Sequence, residues 1–311
     1  MRVVFLGTPA IAVPTLQAVE ALHDVAAVVC QPDKPQGRSN RPVPPPVKEA
    51  ALKLDIPVHQ PAKLNDGTFE AWLRDLKPEV CVIAAYGRLL KQPLLDIPPH
   101  GWINLHPSLL PKYRGPSPIR SAILHGDTET GVSIMRLVLE MDAGDVLMQE
   151  KVVIGENENA VELADRLGKL GADLMLKSLR QIEEGTAVFT PQDHARAVEC
   201  RMFEKADGRI RWGAAAREIH NLVRAAQPWP IAHCHLGGEV YRIHETRLAE
   251  GKATAEPGAV EEILKDRIIV ATGNGRIAIT ELQAPGKRAM AAGDFLRGHK
   301  LGPGDAFTDI T

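Results

Sequence analysis

After Met1 and Arg2 the chain runs through Val3-Val4-Phe5-Leu6, and the stretch Arg2 to Leu6 reads as a strand buried on both faces. Thr8-Pro9 then breaks it, and Ile11, Leu16, Val19 and Leu22 recur at the spacing of a helix packed on a sheet. Val25–Cys30, Glu79–Ala84, Trp102–His106 and Gly131–Leu139 are further apolar runs of strand length, and a helical segment around Phe69–Leu76 precedes the second of them. Such alternation predicts an α/β fold with a doubly wound, mostly parallel sheet. Val161–Ile182 keeps apolar residues three and four apart until Gly185 stops the pattern.

From Pro191 to about Lys205 no period is visible, as expected of a linker. A helix is predicted over Ala214–Ala226, with Ile219, Leu222, Val223 and Ala226 on one face. Beyond Pro228-Trp229-Pro230 the texture changes to five short β-rich runs, Ala232–Leu236, Glu239–His244, Ala259–Leu264, Ile268–Ala271 and Ile277–Leu282, separated by glycine turns. The simplest arrangement is a small β-barrel of the oligonucleotide-binding (OB-like) kind, although strand counting leaves a sandwich open. The division expected is 1–190, a linker over 191–206, and 207–311.

A length of 311 residues suits two domains, and 44% hydrophobic with 24% charged residues is an ordinary globular balance. No window is apolar enough for a membrane span and the first apolar run is too short for a signal peptide, so a cytoplasmic protein without a membrane partner is expected. Four cysteines, Cys30, Cys81, Cys200 and Cys234, are scattered without a C-x-x-C pair, which argues against a disulfide framework or a zinc knuckle. The net charge of −2 decides nothing about nucleic acid.

The first turn, Gly7-Thr8-Pro9-Ala10, lacks the second and third glycines that let a backbone approach a pyrophosphate, so a dinucleotide cofactor is not expected. No serine stands in a G-x-S-x-G elbow. His100, His106 and His125 lack metal-ligand spacing and His233-x-His235 has no third ligand in view, so no metal is expected. Residues 31–48 make an unusually long connection after the second strand; it holds Lys34, Arg38, Arg41 and Lys48 against Asp33, and is stiffened by prolines. Two readings stand: a solvated loop, or an arm that contacts phosphates.

The densest signal is Asn104-Leu105-His106-Pro107-Ser108-Leu109-Leu110-Pro111, at the end of the fourth strand. Alternation puts Asn104 and His106 on one face, where the ligand site of an open α/β sheet lies. A core histidine bonded to backbone is the plain alternative for His106; the polar neighbour two residues earlier and the proline-locked loop favour chemistry. Asp142, in Met141-Asp142-Ala143-Gly144-Asp145, is a suitable third partner.

These segments, together with Gly7-Thr8-Pro9, Gln31-Pro32-Asp33-Lys34-Pro35, Ala85-Tyr86-Gly87, Arg114-Gly115 and the later Arg209-Ile210-x-Trp212 and Pro228-Trp229-Pro230, resemble the folate-dependent formyltransferase family, nearly end to end. The Asn, His, Ser-Leu-Leu-Pro and Asp elements are common to that family. The basic loop and the extra β domain point within it to members that formylate methionyl-tRNA; members acting on a nucleotide-linked amino sugar are the alternative. Pro107 and Pro116-Ser117 depart from the small residues more usual there. The resemblance implies an enzyme that moves a formyl group from 10-formyltetrahydrofolate to the amino group of initiator methionyl-tRNA, acting as a monomer. It further implies Asn104, His106 and Asp142 as the catalytic set, with Tyr86, Gly87, Arg88, Ser108, Leu109, Leu110 and Pro111 around the folate. Lys34, Arg38 and Arg41 are expected on the tRNA.

Overall fold

The computed structural model describes residues 1–35, 41–64 and 67–310. The apolar runs form the strands they predict: β1 (Arg2–Gly7), β2 (Asp24–Val29), β4 (Val80–Ala84) and β5 (Trp102–His106), with β3 (Val58–His59), β6 (Glu129–Arg136) and β7 (Val146–Val153) completing one sheet. Its order is β7-β6-β5-β4-β1-β2-β3. The pairs from β3 to β5 are parallel and β6 runs antiparallel to β5, with His106 opposite Ser133. The sheet is therefore mixed, and β5 lies at the seam between the two senses.

Helices α1 (Val13–Leu22), α2 (Pro46–Lys53), α3 (Thr68–Leu76) and α5 (Ala160–Glu183) accompany it, while α4 (Pro118–Leu124) falls, after Pro118, in the second of the two units described below. Every residue of β4 and β5 is buried, as a strand covered on both faces requires. On one face Val4, Leu6, Cys81 and Ile83, alternate residues of β1 and β4, share a core with Phe69 and Leu73 of α3. Trp102, fully enclosed at the start of β5, donates its indole N–H to the carbonyl of Leu94 at 2.8 Å.

The chain packs as two units, one of Met1–Pro118, Thr130–Val152 and Ala164–Arg201, the other of Ile119–Glu129, Val153–Leu163 and the chain from Met202 onward. The stretch 191–206, expected as a linker, is thus divided at Arg201, and its first part is built into the first unit. Val198 and Glu199 there pair in parallel with Lys112 and Arg114.

In the second unit α6 (Ala216–Ala225) packs Ile219 and Val223 into a core with Ile243, Ile277 and Ile279 of a curled antiparallel sheet. That sheet holds β8 (Ala232–Leu236), β9 (Glu239–Ala249), β10 (Val260–Ile263), β11 (Ile268–Ala271), β12 (Arg276–Gln283) and β13 (Phe307–Thr308), in the order β10-β11-β12-β9-β8-β13. Its two edges meet: Val260 N–H donates to Asp305 O and Phe307 N–H to Gly258 O, both at 2.8 Å. Closure removes the unpaired edges an open sheet would expose.

His220 of α6 is fully buried, its ring nitrogens meeting Thr246 Oγ1 at 2.9 Å and the carbonyl of Glu156 at 3.0 Å. Burial pushes its pKa down to about 4, with the nearby Arg224 and Arg217 working in the same direction and the Glu156 bond opposing them. The unfolded chain takes up a proton near the ordinary 6.5 while the folded one resists it. The stability due to the neutral ring is therefore complete above about pH 6.5 and lost as pH falls toward 4, by up to about 3 kcal/mol. Urea unfolding between pH 7.5 and 5 is expected to show this decline, and His220→Gln to flatten it.

Candidate active site

Asn104 and His106 project from one face of β5 at its carboxyl end, 7% and 4% exposed. The carbonyl of Tyr113 lies 2.9 Å from His106 Nε2. A carbonyl only accepts, so Nε2 carries the hydrogen and Nδ1 is the nitrogen left for chemistry. Nδ1 stands 3.5 Å from Asp142 Oδ2, a distance at which the two attract when the imidazole carries a proton on both nitrogens, and too long for a strong hydrogen bond. The Asn104 carboxamide takes no hydrogen-bond partner among the described residues. Two residues apart on one strand, Asn104 and His106 are separated by roughly 7 Å along the chain.

Asp142 adopts φ +50°, the left-handed region that aspartate tolerates better than most residues. Its Oδ2 accepts the backbone N–H of Gly115 at 2.8 Å. Gly115 is itself at φ +115°, and a Cβ there would lie 2.3 Å from the carbonyl oxygen of Cys200. Only glycine fits between the aspartate and that segment.

The Ser108–Pro111 loop is held from below. Ser108 Oγ donates to Lys112 O at 2.6 Å and so caps the turn. Ser133 Oγ donates to Ser108 O and accepts from Leu110 N–H, and Gln149 Nε2 donates to Leu110 O and to Ser133 Oγ. The Leu110-Pro111 peptide is cis. Leu110 is buried, and Leu109 and Pro111 are half-buried.

On the other side, Ala85 and Gly87 turn the chain with φ of +50° and +80°. Tyr86 is buried and its carbonyl accepts from Thr8 Oγ1 and Gln31 Nε2. Arg88 directs its guanidinium away to Gln31 Oε1 and the carbonyls of Pro61 and Ala62, so it braces the turn.

Of the basic loop, Lys34-Pro35 pairs antiparallel with Pro42-Val43, and Lys34 and Arg41 are exposed. Arg38 lies outside the described residues. Lys48 differs from the expectation of a loop cation: its Nζ is 2.8 Å from Asp33 Oδ2 and 2.9 Å from Gln60 Oε1, and is half-buried. The Lys48 ammonium, with a hydrogen bond from Gln60, holds the Asp33 carboxyl below the usual carboxylate range. Cys30 beside this cluster is buried and its thiol is pushed up to about 11, so it is no nucleophile. Among the described residues no group of three or more His, Cys, Asp and Glu could hold a metal ion, and no helix is long and apolar enough to cross a membrane.

Sequence reasoning passed over Ser133, Gln149 and Gln192. The first two sit on β6 and β7 with no motif around them, and only the alignment of strands discloses them. Gln192 lies in the segment that carries no period.

The chain belongs to the formyl transferase family. The formyl transferase model matches residues 1–179 and the formyl transferase C-terminal domain model residues 202–300. Among its relatives is the methionyl-tRNA formyltransferase of Acetivibrio thermocellus, 42% identical over 98% of this chain and 99% of that one. The methionyl-tRNA formyltransferase of Pelotomaculum thermopropionicum is 45% identical, over 98% and 97%. Solved structures share the fold at low identity. HypX from Aquifex aeolicus in complex with tetrahydrofolic acid has a TM-score of 0.67 at 18% identity, over 99% of this chain and 50% of that one. The N-formyltransferase from Helicobacter canadensis with folinic acid and dTDP-3-aminofucose has 0.68 at 20%, over 89% and 98%.

Proposed function

We propose that this enzyme transfers the formyl group of 10-formyltetrahydrofolate to the α-amino group of initiator methionyl-tRNA, as a monomer in the cytoplasm. The observation that carries the chemistry is the approach of His106 Nδ1 to Asp142 on the face that also bears the unpartnered Asn104. The observation that carries the acceptor is similarity at 42–45% identity over nearly the whole chain to proteins named for methionyl-tRNA. The sugar N-formyltransferase likeness is one of fold only.

The α-amine has an ordinary pKa of about 8, so part of it is neutral at pH 7 and the harder task is activating the donor. The amine nitrogen attacks the formyl carbon, and charge builds on the formyl oxygen. Asn104 Nδ2 and, in its imidazolium form, His106 through Nδ1–H are the donors assigned to that oxygen. The new C–N bond forms, the bond from the carbon to the folate nitrogen breaks, and its electron pair takes up a proton there. That proton is the one the amine loses, carried across by Asp142 directly or through water.

The folate is assigned to the space between the Tyr86-Gly87-Arg88 turn and the Ser108–Pro111 loop, and the acceptor to Lys34, Arg38 and Arg41. The test is direct: with 10-formyltetrahydrofolate and charged initiator methionyl-tRNA the purified protein should yield formylmethionyl-tRNA, and with dTDP-3-aminofucose no formylated sugar. The reverse pattern overturns the acceptor. Arg38→Ala is expected to raise KM for the tRNA and flatten its salt dependence while leaving KM for the folate alone; equal weakening of both would refute the assignment.

A further inference from the structure

Between the two family matches, which end at 179 and resume at 202, lies a segment that neither accounts for. It contains Gln192, 8% exposed in the first unit. Its Nε2 donates to the carbonyl of Asp142 at 2.8 Å and to that of Gly144 at 2.7 Å. Its Oε1 accepts from Arg114 Nε at 3.1 Å and Nη2 at 2.9 Å. The two carbonyls can only accept and the guanidinium can only donate, so the orientation of the amide is fixed by its partners and each of its four hydrogen-bonding positions is used.

We propose that Gln192 is a positioning residue for Asp142, joining the turn that carries the carboxylate to Arg114 and so setting the distance between Asp142 and His106. This role rests on the one proposed for Asp142 above.

Three features of the molecule support it. Asp142 sits at φ +50°, which a non-glycine residue holds only where its surroundings fix it, and Gln192 binds the carbonyls on either side of Ala143. Arg114 is itself buried, with Nη1 3.5 Å from Glu140 and Nη2 3.3 Å from His194 Nδ1, and immediately precedes Gly115, whose N–H holds the Asp142 carboxylate. Gln192 thus ties both the backbone of Asp142 and the residue beside the donor to its carboxylate. The same segment closes on the site again at Cys200, whose N–H donates to Arg114 O at 2.8 Å.

Glutamate at this position keeps the size and the acceptor for Arg114 but loses both donations to the turn. Q192E is therefore expected to lower kcat by on the order of tenfold to a hundredfold, with KM for methionyl-tRNA within about threefold of wild type, because misplacement of the catalytic group by about 1 Å carries a cost of that size. In a D142N background Q192E should add less than about threefold, since the group it positions is gone. Near-wild-type kcat for Q192E, multiplicative effects in the double variant, or a fall in tRNA affinity parallel to kcat would each overturn the proposal. Gln192→Met, similar in length and without either function, is measured if Q192E does not fold, by the same criteria. Full activity of D142N would instead refute the role of Asp142; an inactive D142N beside an active Q192E would refute only the role of Gln192.

Discussion

Asn104→Ala is expected to lower kcat for formyl transfer by about a hundredfold or more, equivalent to roughly 3 kcal/mol of transition-state stabilisation, while the melting temperature barely moves. The separation of the two effects follows from the resting structure. The carboxamide has no partner among the described residues, so its removal leaves no orphaned donor or acceptor behind. On the role proposed above, its value lies in a bond made when charge develops on the formyl oxygen. Single-turnover formylation with saturating substrates, beside calorimetry of the same sample, reads both quantities. A kcat within threefold of wild type would remove Asn104 from the chemistry.

Gly144→Ala should impair the enzyme in stability and rate together. A Cβ on Gly144 would lie 1.8 Å from the carbonyl oxygen of Arg136, in a place where two backbone segments touch and Arg136 N–H donates to Asp145 O at 2.9 Å. Backbone cannot yield as a flexible side chain can, so the two segments must separate. Overpacking of this kind costs about 1–3 kcal/mol. The displaced segment also carries Asp142 two residues earlier, so a rate loss of about a hundredfold is expected besides. Urea unfolding and kcat check the two parts. Gly213→Ala, where an added Cβ meets nothing within 4 Å, is the control expected to leave both unchanged.

The strands that carry the site were legible because the fold covers them on both faces. Trp102–His106 reads as a strand since all five of its residues are buried, and Asn104 and His106 stand out as polar residues in that company. Val146–Val153 gave no such signal: it is one of the two edge strands, half-buried or exposed along its whole length, so no apolar run announces it. Sequence spacing alone does not place Asp142 beside His106, because their proximity depends on a left-handed turn and on the close approach of Gly115 to Cys200. Gln192 was invisible for a related reason. It acts through side-chain bonds to backbone carbonyls far away in sequence, and aperiodic segments offer no pattern from which such bonds can be read. The long strand Glu239–Ala249 exceeds its predicted end at His244, because antiparallel pairing with β12 carries it past the last alternating residues.

Lys48 bears on how an RNA would meet this protein. Counted along the sequence it belongs with Lys34, Arg38 and Arg41, but the fold has already matched its charge with Asp33 at 2.8 Å. An ammonium already paired with a carboxylate neutralises little phosphate charge, and so would release few of the cations condensed on a polyanion. On the assignment of the acceptor proposed above, Lys48 would add little to the salt dependence of binding, and its work is done inside the protein, where it draws Asp33 and Gln60 together.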